Sequence, residues 1–463
     1  MYENDHGVVL GTYPDEEGGV AFLSDLDRRR HVYVIGKTGT GKSTLTEAMM
    51  LSDIARGRGC GLLDPHGDLA ERIADSIPES RFNDTIYIDA SDPDYHVGIN
   101  PLANVPLHNR ALVTAQMVET FAYIWELSLE KTPLLLYVLH NAIRLLLDTP
   151  GTTLLGIERL LVDHRYRNQL LANATDPAVR NYWQQEFAAL SDKDTADTVR
   201  STRNKVGMLL SGVLRNILGQ PRPTINIRRV MDEGKILLVS LSKGRLGAGP
   251  VRLLGSAFAT AFAQAAEGRS SMPEEERRDF TLYADEFEHF ATDSFVSTLS
   301  EARKLRLNLV LLHQFMGQLP PLLRQAIVGN AGSLICFRVG GEDEATLRPD
   351  LKNTDLVYDQ SRLMHIDRAE PLQLTSTPNF SAYMKLLHDG VPSATRLVDI
   401  APPVRQASGR LAAVRTRQRA RHLRPRAIVE EKINRFLSPR PKKPERPKKQ
   451  TRARVTISWP IKP

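Results

Sequence analysis

The feature that most constrains this chain is the stretch His31 to Met50, an apolar run followed by a glycine-rich turn and then helix-forming residues. Val32 to Ile35 reads as a buried strand. Gly36-Lys37-Thr38-Gly39-Thr40-Gly41-Lys42-Ser43 then fits the phosphate-binding pattern G-x-x-x-x-G-K-[ST] at every fixed position. Glycines at 36, 39 and 41 let the backbone take positive φ and bring its N–H groups against phosphate oxygens, where a Cβ would intrude. Those N–H groups and the start of the following helix, through Thr44, make an anion site. Lys42 would set a point charge on the β and γ phosphates, and the Ser43 hydroxyl would sit on Mg²⁺. A chance match in a Gly/Thr-rich loop would lack the strand before it and the helix after it. The order strand, loop, helix commits this part of the chain to an α/β nucleotide fold with ATP and Mg²⁺ as expected cofactors.

A nucleotide site also needs acids, and the chain supplies them far downstream. Phe280-Thr281-Leu282-Tyr283-Ala284 is an apolar run that delivers Asp285 and Glu286. In the Walker B arrangement Asp285 would hold Mg²⁺ through water, while Glu286 would orient and deprotonate the attacking water. A third apolar run, Leu307 to Leu312, leads to His313 and Gln314; an amide there can sense the γ-phosphate. Arg303, at a helix end between these runs, is a candidate finger for a neighbouring subunit's nucleotide, or else a helix-dipole or salt-bridge partner. Arg338, on the apolar run Ser333 to Val339, is a second finger candidate. Gly59 to Asp64 reads as a buried strand; Asp64 and Asp68 either approach Mg²⁺ at its carboxyl end or belong to a Pro-Gly turn.

The acids are separated from the loop by a change of pattern. Residues 1–103 read as the first half of the ATPase lobe: a hairpin of two short apolar runs around Pro14 to Gly19, the phosphate loop, and strands at 59–64 and 85–89. From 104 to 222 apolar residues recur at helical spacing and strand signals fade, so an all-helical insertion is expected. Its Arg180, Arg200, Arg203, Lys205 and Arg215 form either a solvated basic face or a surface for DNA or a partner. The α/β pattern returns over 223–400, with Lys235 to Leu241 as a further strand. The expected fold is a mostly parallel sheet with helices on both faces, interrupted by the helical insertion.

Charge is uneven in a way that the net value hides. Residues 401–463 hold 19 of the 61 Lys/Arg but only 3 of the 54 Asp/Glu, leaving 42 basic and 51 acidic residues in 1–400. This segment is Pro-rich and poor in aromatic and β-branched residues, so it is expected to be a flexible basic tail, with room for a marginal helix over Arg405 to Phe436, that is either solubilising or in contact with nucleic acid. Cys60 and Cys336 show no metal-ligand spacing, which argues against structural zinc or a disulfide framework and for a reducing cytosol. The most apolar region, Leu134 to Leu147, is broken by Tyr137, His140, Asn141 and Arg144, short of the ~18 apolar residues of a membrane helix.

Taken together, RRRHVYVIGKTGTGKST, GLLDPHGDLAERI, INPL, KILLVSLSKGRLG, TLYADEFEHF, SEARK and NLVLLHQF resemble the FtsK/HerA superfamily of motor ATPases. More narrowly, they resemble the conjugative coupling proteins of type IV secretion, the TraG/TraD kind, over roughly residues 8–400. The resemblance implies a ring, commonly a hexamer, that uses ATP to move single- or double-stranded DNA and meets relaxosome or secretion-channel proteins. By position it assigns Lys42 and Ser43 to phosphate and Mg²⁺, Asp285 and Glu286 to the Walker B pair, Gln314 to the sensor and Arg303 to the finger. Coupling proteins usually begin with transmembrane helices and this sequence shows none, so a cytoplasmic protein, peripheral at the inner membrane through partners, is expected. Two other readings stay open: a secretion or DNA-processing ATPase that moves protein substrates or DNA ends, and a nucleotide-gated DNA-binding scaffold. The intact Lys42, Asp285 and Glu286 argue against the scaffold.

Overall fold

Alternation along the strand that feeds the phosphate loop sets up two cores. Val32 and Val34 join the apolar cluster on one face of a sheet, and Tyr33 and Ile35 join the cluster on the other, as the two-residue period of a strand requires. A computed structural model describes residues 6–190, 192–291, 300–352, 354–359, 362–367, 372–405 and 409–438. Its main sheet has 11 strands. In chain order they are β1 (Gly7–Thr12), β2 (Val20–Ser24), β3 (Val32–Ile35), β4 (Gly59–Asp64), β5 (Thr85–Asp89), β6 (Ile236–Ser240), β7 (Phe280–Ala284), β8 (Leu307–His313), β9 (Ser333–Cys336), β10 (Ser381–Lys385) and β11 (Arg396–Ile400). In space they run β2-β1-β11-β10-β9-β3-β8-β7-β4-β6-β5. From β9 to β5 every pairing is parallel, whereas β10, β11, β1 and β2 add antiparallel strands beyond β9. The parallel strands are buried along almost their whole length and mostly apolar, as cover on both faces demands. Cys60 and Cys336 lie buried within it as free thiols.

One face is covered by α1 (Lys42–Ala55) and α2 (Asp68–Asp75). The other receives the helices between residues 104 and 222, where every described regular element is helical, among them α3 (Arg110–Ile124) and α4 (Pro133–Leu147). This helical block has no separate core. Its Met117, Phe121, Leu139 and Ile143 share one cluster with Ile88 of the sheet and with Phe258 of α5 (Ala248–Gly268). Two of its arginines are taken up inside the chain: Arg203 pairs with Glu158 at 3.2 Å, and Arg180 donates to the Ala174 carbonyl at 2.6 Å.

The flexible basic tail expected from residue 401 is corrected for its first part. Helices α6 (Leu411–Arg421) and α7 (Arg426–Leu437) lie against the body. Their apolar residues fall at helical spacing, with Val414 buried on α6 and Val429 and Ile433 on α7, and arginines of α6 and of the segment ahead of it find acids that the sequence alone does not place beside them. Arg405 pairs with Glu47 of α1, Arg415 with Glu71 at 2.6 Å and Arg419 with Asp92 at 2.9 Å. The Gln418 amide donates to the Thr85 carbonyl at the edge of β5, covering a strand edge that would otherwise be open to pairing. The run Pro439 to Lys449 lies outside the described residues.

A buried polar cluster ties α1 to the sheet. Asp53 accepts from both terminal nitrogens of Arg28 (2.7 and 2.8 Å), from Arg56 (2.8 Å) and from the Tyr283 hydroxyl on β7 (2.6 Å). Burial alone would raise the Asp53 carboxyl, yet Arg28 and Arg56 hold it below its ordinary value. Removing one partner strands a buried charge, at a cost of about 3–5 kcal/mol. Asp53→Ala is therefore expected to lower the thermal midpoint by on the order of 10 °C, and Arg28→Met combined with Asp53→Leu to recover most of the loss. Scanning calorimetry checks this; a fall of under about 2 °C for the single variant would contradict it.

Candidate nucleotide-binding site

The ends of neighbouring strands pin the start of the phosphate loop. Gly36 N–H donates to His313 O at the end of β8 (3.3 Å), and Lys37 N–H donates to Arg338 O just past β9 (2.8 Å). Two glycines are demanded by space and angle. A Cβ on Gly36 would fall 2.5 Å from Phe337 Cβ, and Gly41 sits at φ 124° with Phe380 Cα 3.2 Å from where its Cβ would be. Lys37, Thr38 and Gly39 are exposed at the tip, and Gly39 takes φ 78°. Thr40 stiffens the turn by donating to Lys37 O at 2.8 Å. Lys42 is buried, with Nζ donating to the Gly36 and Lys37 carbonyls; burial holds its ammonium below the usual lysine range, against the pull of Asp285 and Glu286. Ser43 and Thr44 open the first turn of α1, with Ser43 exposed.

Because β3, β8 and β7 are parallel neighbours, their carboxyl ends deliver the loop, Gln314 and the acid pair to one edge. Asp285 is buried there, and its carboxyl is pushed up to about 7, first by burial and then by Asp64 and Glu286, with Lys42 opposing. Glu286 stands at φ 44°, a left-handed conformation that costs a non-glycine residue on the order of 1–3 kcal/mol. Its carboxylate is caged. Gln314 Nε2 donates to Oε1 at 2.6 Å, and Oε2 lies 3.1 Å from Nε2 of both His66 and His289 and 3.8 Å from Lys243 Nζ. The bonds from His289 and His66 hold Glu286 well below the usual carboxylate range, and the same contact raises His66. Asp64, Asp285 and Glu286 set three carboxylates near one buried lysine, an excess of negative charge that a divalent cation would neutralise. The glycine cradle meanwhile leaves backbone N–H groups for phosphate. The residues present therefore fit Mg²⁺ and a nucleoside triphosphate.

Not every expected residue lands at this edge. Both Asp64 oxygens already accept backbone N–H groups, from His66 and Ala70 at 2.9 Å each, so Asp64 shapes the turn before α2 and contributes charge; Asp68 is exposed in the first turn of α2. Arg303 is exposed ahead of the amino end of β8, and the length of that strand, about 20 Å, separates it from the loop of its own chain. Arg338 is on the loop's side, half-buried, with Nη2 donating to Asn379 at 2.7 Å. His66, His289, Lys243 and Phe380 are the site residues that the sequence reading missed. A histidine three residues after Glu286 was a signal for His289; nothing local to the other three brings them here.

A parallel sheet with a phosphate loop on a central strand and an acid pair at a nearby strand end defines a P-loop NTPase fold. By sequence the chain matches no family model and no curated protein. By structure it is similar to the bacterial conjugative coupling protein TrwBdeltaN70 in its unbound form, with a TM-score of 0.61 and 18% identity over 88% of this chain and 92% of that one. It is also similar to plasmid coupling protein TrwB in complex with ADP and Mg²⁺ (TM-score 0.59, 18% identity, 83% and 87% of the two chains). VirB4 of Thermoanaerobacter pseudethanolicus is a third (TM-score 0.56, 14% identity, 87% and 98%). These likenesses show a TrwB-like P-loop fold.

The raised Asp285 carboxyl has a consequence for the protein without nucleotide. Its folded value of about 7 lies above the unfolded value near 3.9. The native state then binds the extra proton, and stability is lost as pH rises from about 4 through about 7. Asp285→Asn removes that loss. The variant is expected to melt about 2–4 °C above wild type at pH 8 and level with it near pH 4.5. An equal difference at both pH values would contradict the crowding.

Proposed function

We propose that this protein is an ATPase that moves DNA, acting as an oligomeric ring in conjugative transfer or mobilisation. The observation that carries the reading is the meeting of Lys42, Ser43, Asp285, Glu286 and Gln314 at one sheet edge, in a fold like that of a conjugative coupling protein over most of both chains. In this reading Ser43 and, through water, Asp285 would hold Mg²⁺, whose charge would offset that of the phosphates. Glu286 takes the proton of the attacking water, Gln314 holds Glu286 in place, and Lys42 binds phosphate. Arg303 serves the neighbouring subunit, because its position puts its own nucleotide out of reach. Among the described residues no helix is long and apolar enough to cross a membrane; in this reading partners attach the protein to an envelope machine. The likeness to VirB4 supports a second reading, an ATPase that serves a secretion channel and moves protein substrates.

Turnover with and without DNA separates the two. Wild type is expected to hydrolyse ATP faster with single- or double-stranded DNA, while Lys42→Ala and Glu286→Gln each lose roughly 100-fold or more. Turnover indifferent to every DNA would favour the second reading. Residues 439–463 carry nine Lys/Arg against one acid, so ending the chain at Ser438 is expected to flatten the salt dependence of DNA affinity. An unchanged slope would assign DNA contact to the folded body alone.

A further inference from the structure

We propose that Phe380 is the platform on which the base of the bound nucleotide stacks, an inference that rests on the nucleotide reading of the phosphate loop. Phe380 immediately precedes β10 and stands at φ 64°, a conformation that a bulky residue adopts only when its surroundings impose it. Both of its backbone polar groups are fixed: its N–H donates to Thr40 O in the phosphate loop at 2.8 Å, and its carbonyl accepts from Ile400 N–H at 2.8 Å. These bonds hold the residue against the loop, with Cδ1 3.4 Å from where a Gly41 Cβ would be. Neighbouring Phe337 is fully buried beneath Gly36 and Gly41, whereas Phe380 remains 52% exposed. A residue with a strained backbone is thus locked to the phosphate loop, and its aromatic ring is left open to solvent.

The side of the loop decides what the ring can meet. The acid pair and Gln314 come from β7 and β8, on one flank of β3; Phe380 comes from the β9 and β10 flank. A nucleoside triphosphate whose terminal phosphate faces the acids sends its sugar and base off the opposite flank. Phe315, also exposed, follows Gln314 on the acid side and is wrongly placed for this role. A phenyl face gives stacking without reading the edge of the base, so purine nucleotides are held alike.

Calorimetric titration of wild type, Phe380→Ala, Phe380→Leu and Phe380→Trp, each with Mg²⁺, tests this with two probes: ADP and inorganic tripolyphosphate, which has no base. Phe380→Ala is expected to weaken ADP by roughly 10- to 100-fold and to leave tripolyphosphate within about twofold. Phe380→Leu should resemble Phe380→Ala. Phe380→Trp should restore ADP affinity and gain, over wild type, emission that ADP quenches and tripolyphosphate does not. Equal weakening of both probes, no weakening of either, or full ADP affinity in Phe380→Leu would overturn the proposal. If wild type binds neither probe, the nucleotide reading falls and this inference with it. Binding of both that Lys42→Ala abolishes, with no effect at Phe380, would overturn the platform alone.

Discussion

The site depends on one buried contact, the grip of Asp53 on Arg28 and Tyr283. Asp53 rides on the helix that continues the phosphate loop, and Tyr283 lies on the strand that ends in the acid pair. With the hydroxyl and guanidinium bonded to one carboxylate and all three side chains out of water, the loop and the acids keep their spacing at the far edge of the sheet. A surface ion pair could not do this, because solvent would screen it and side-chain entropy would loosen it. Buried pairs add little net stability against apolar substitutes, but they penalise every arrangement that separates the partners.

At the edge so defined, charge is concentrated and then restrained. Asp285 is kept from ionising fully by its burial and its acidic neighbours, while Glu286, one residue on, is kept ionised by two histidines and an amide. A cation would displace the proton that crowding leaves on Asp285, and Glu286 gains affinity for a proton only as His66 and His289 release it. The unfavourable backbone of Glu286 belongs to the same arrangement, in which that carboxylate meets Gln314 and His66.

Much of this was written locally in the sequence. The phosphate loop, the Asp285-Glu286 pair and the glutamine ending its strand are each short patterns whose place in a parallel sheet follows from apolar runs before them, and the structure sets all three at one edge. What lay beyond reach depends on contacts between distant segments. His66 follows β4 and meets Glu286 after more than two hundred intervening residues. Phe380 reads in sequence as an ordinary residue before a strand, and its importance appears only when the loop is seen against its backbone. Composition left any helix after residue 401 only marginally stable, because counting charges does not reveal that Glu47, Glu71 and Asp92 wait on the body to pair with Arg405, Arg415 and Arg419.

The central claim is that hydrolysis at this edge drives the protein along DNA. Its most direct test is displacement of streptavidin from biotinylated single- and double-stranded DNA, followed with ATP and with a non-hydrolysable analogue. The account predicts displacement from at least one of these DNAs that requires ATP and that Glu286→Gln abolishes while DNA binding persists. Steady ATP hydrolysis with no displacement from either DNA would contradict it.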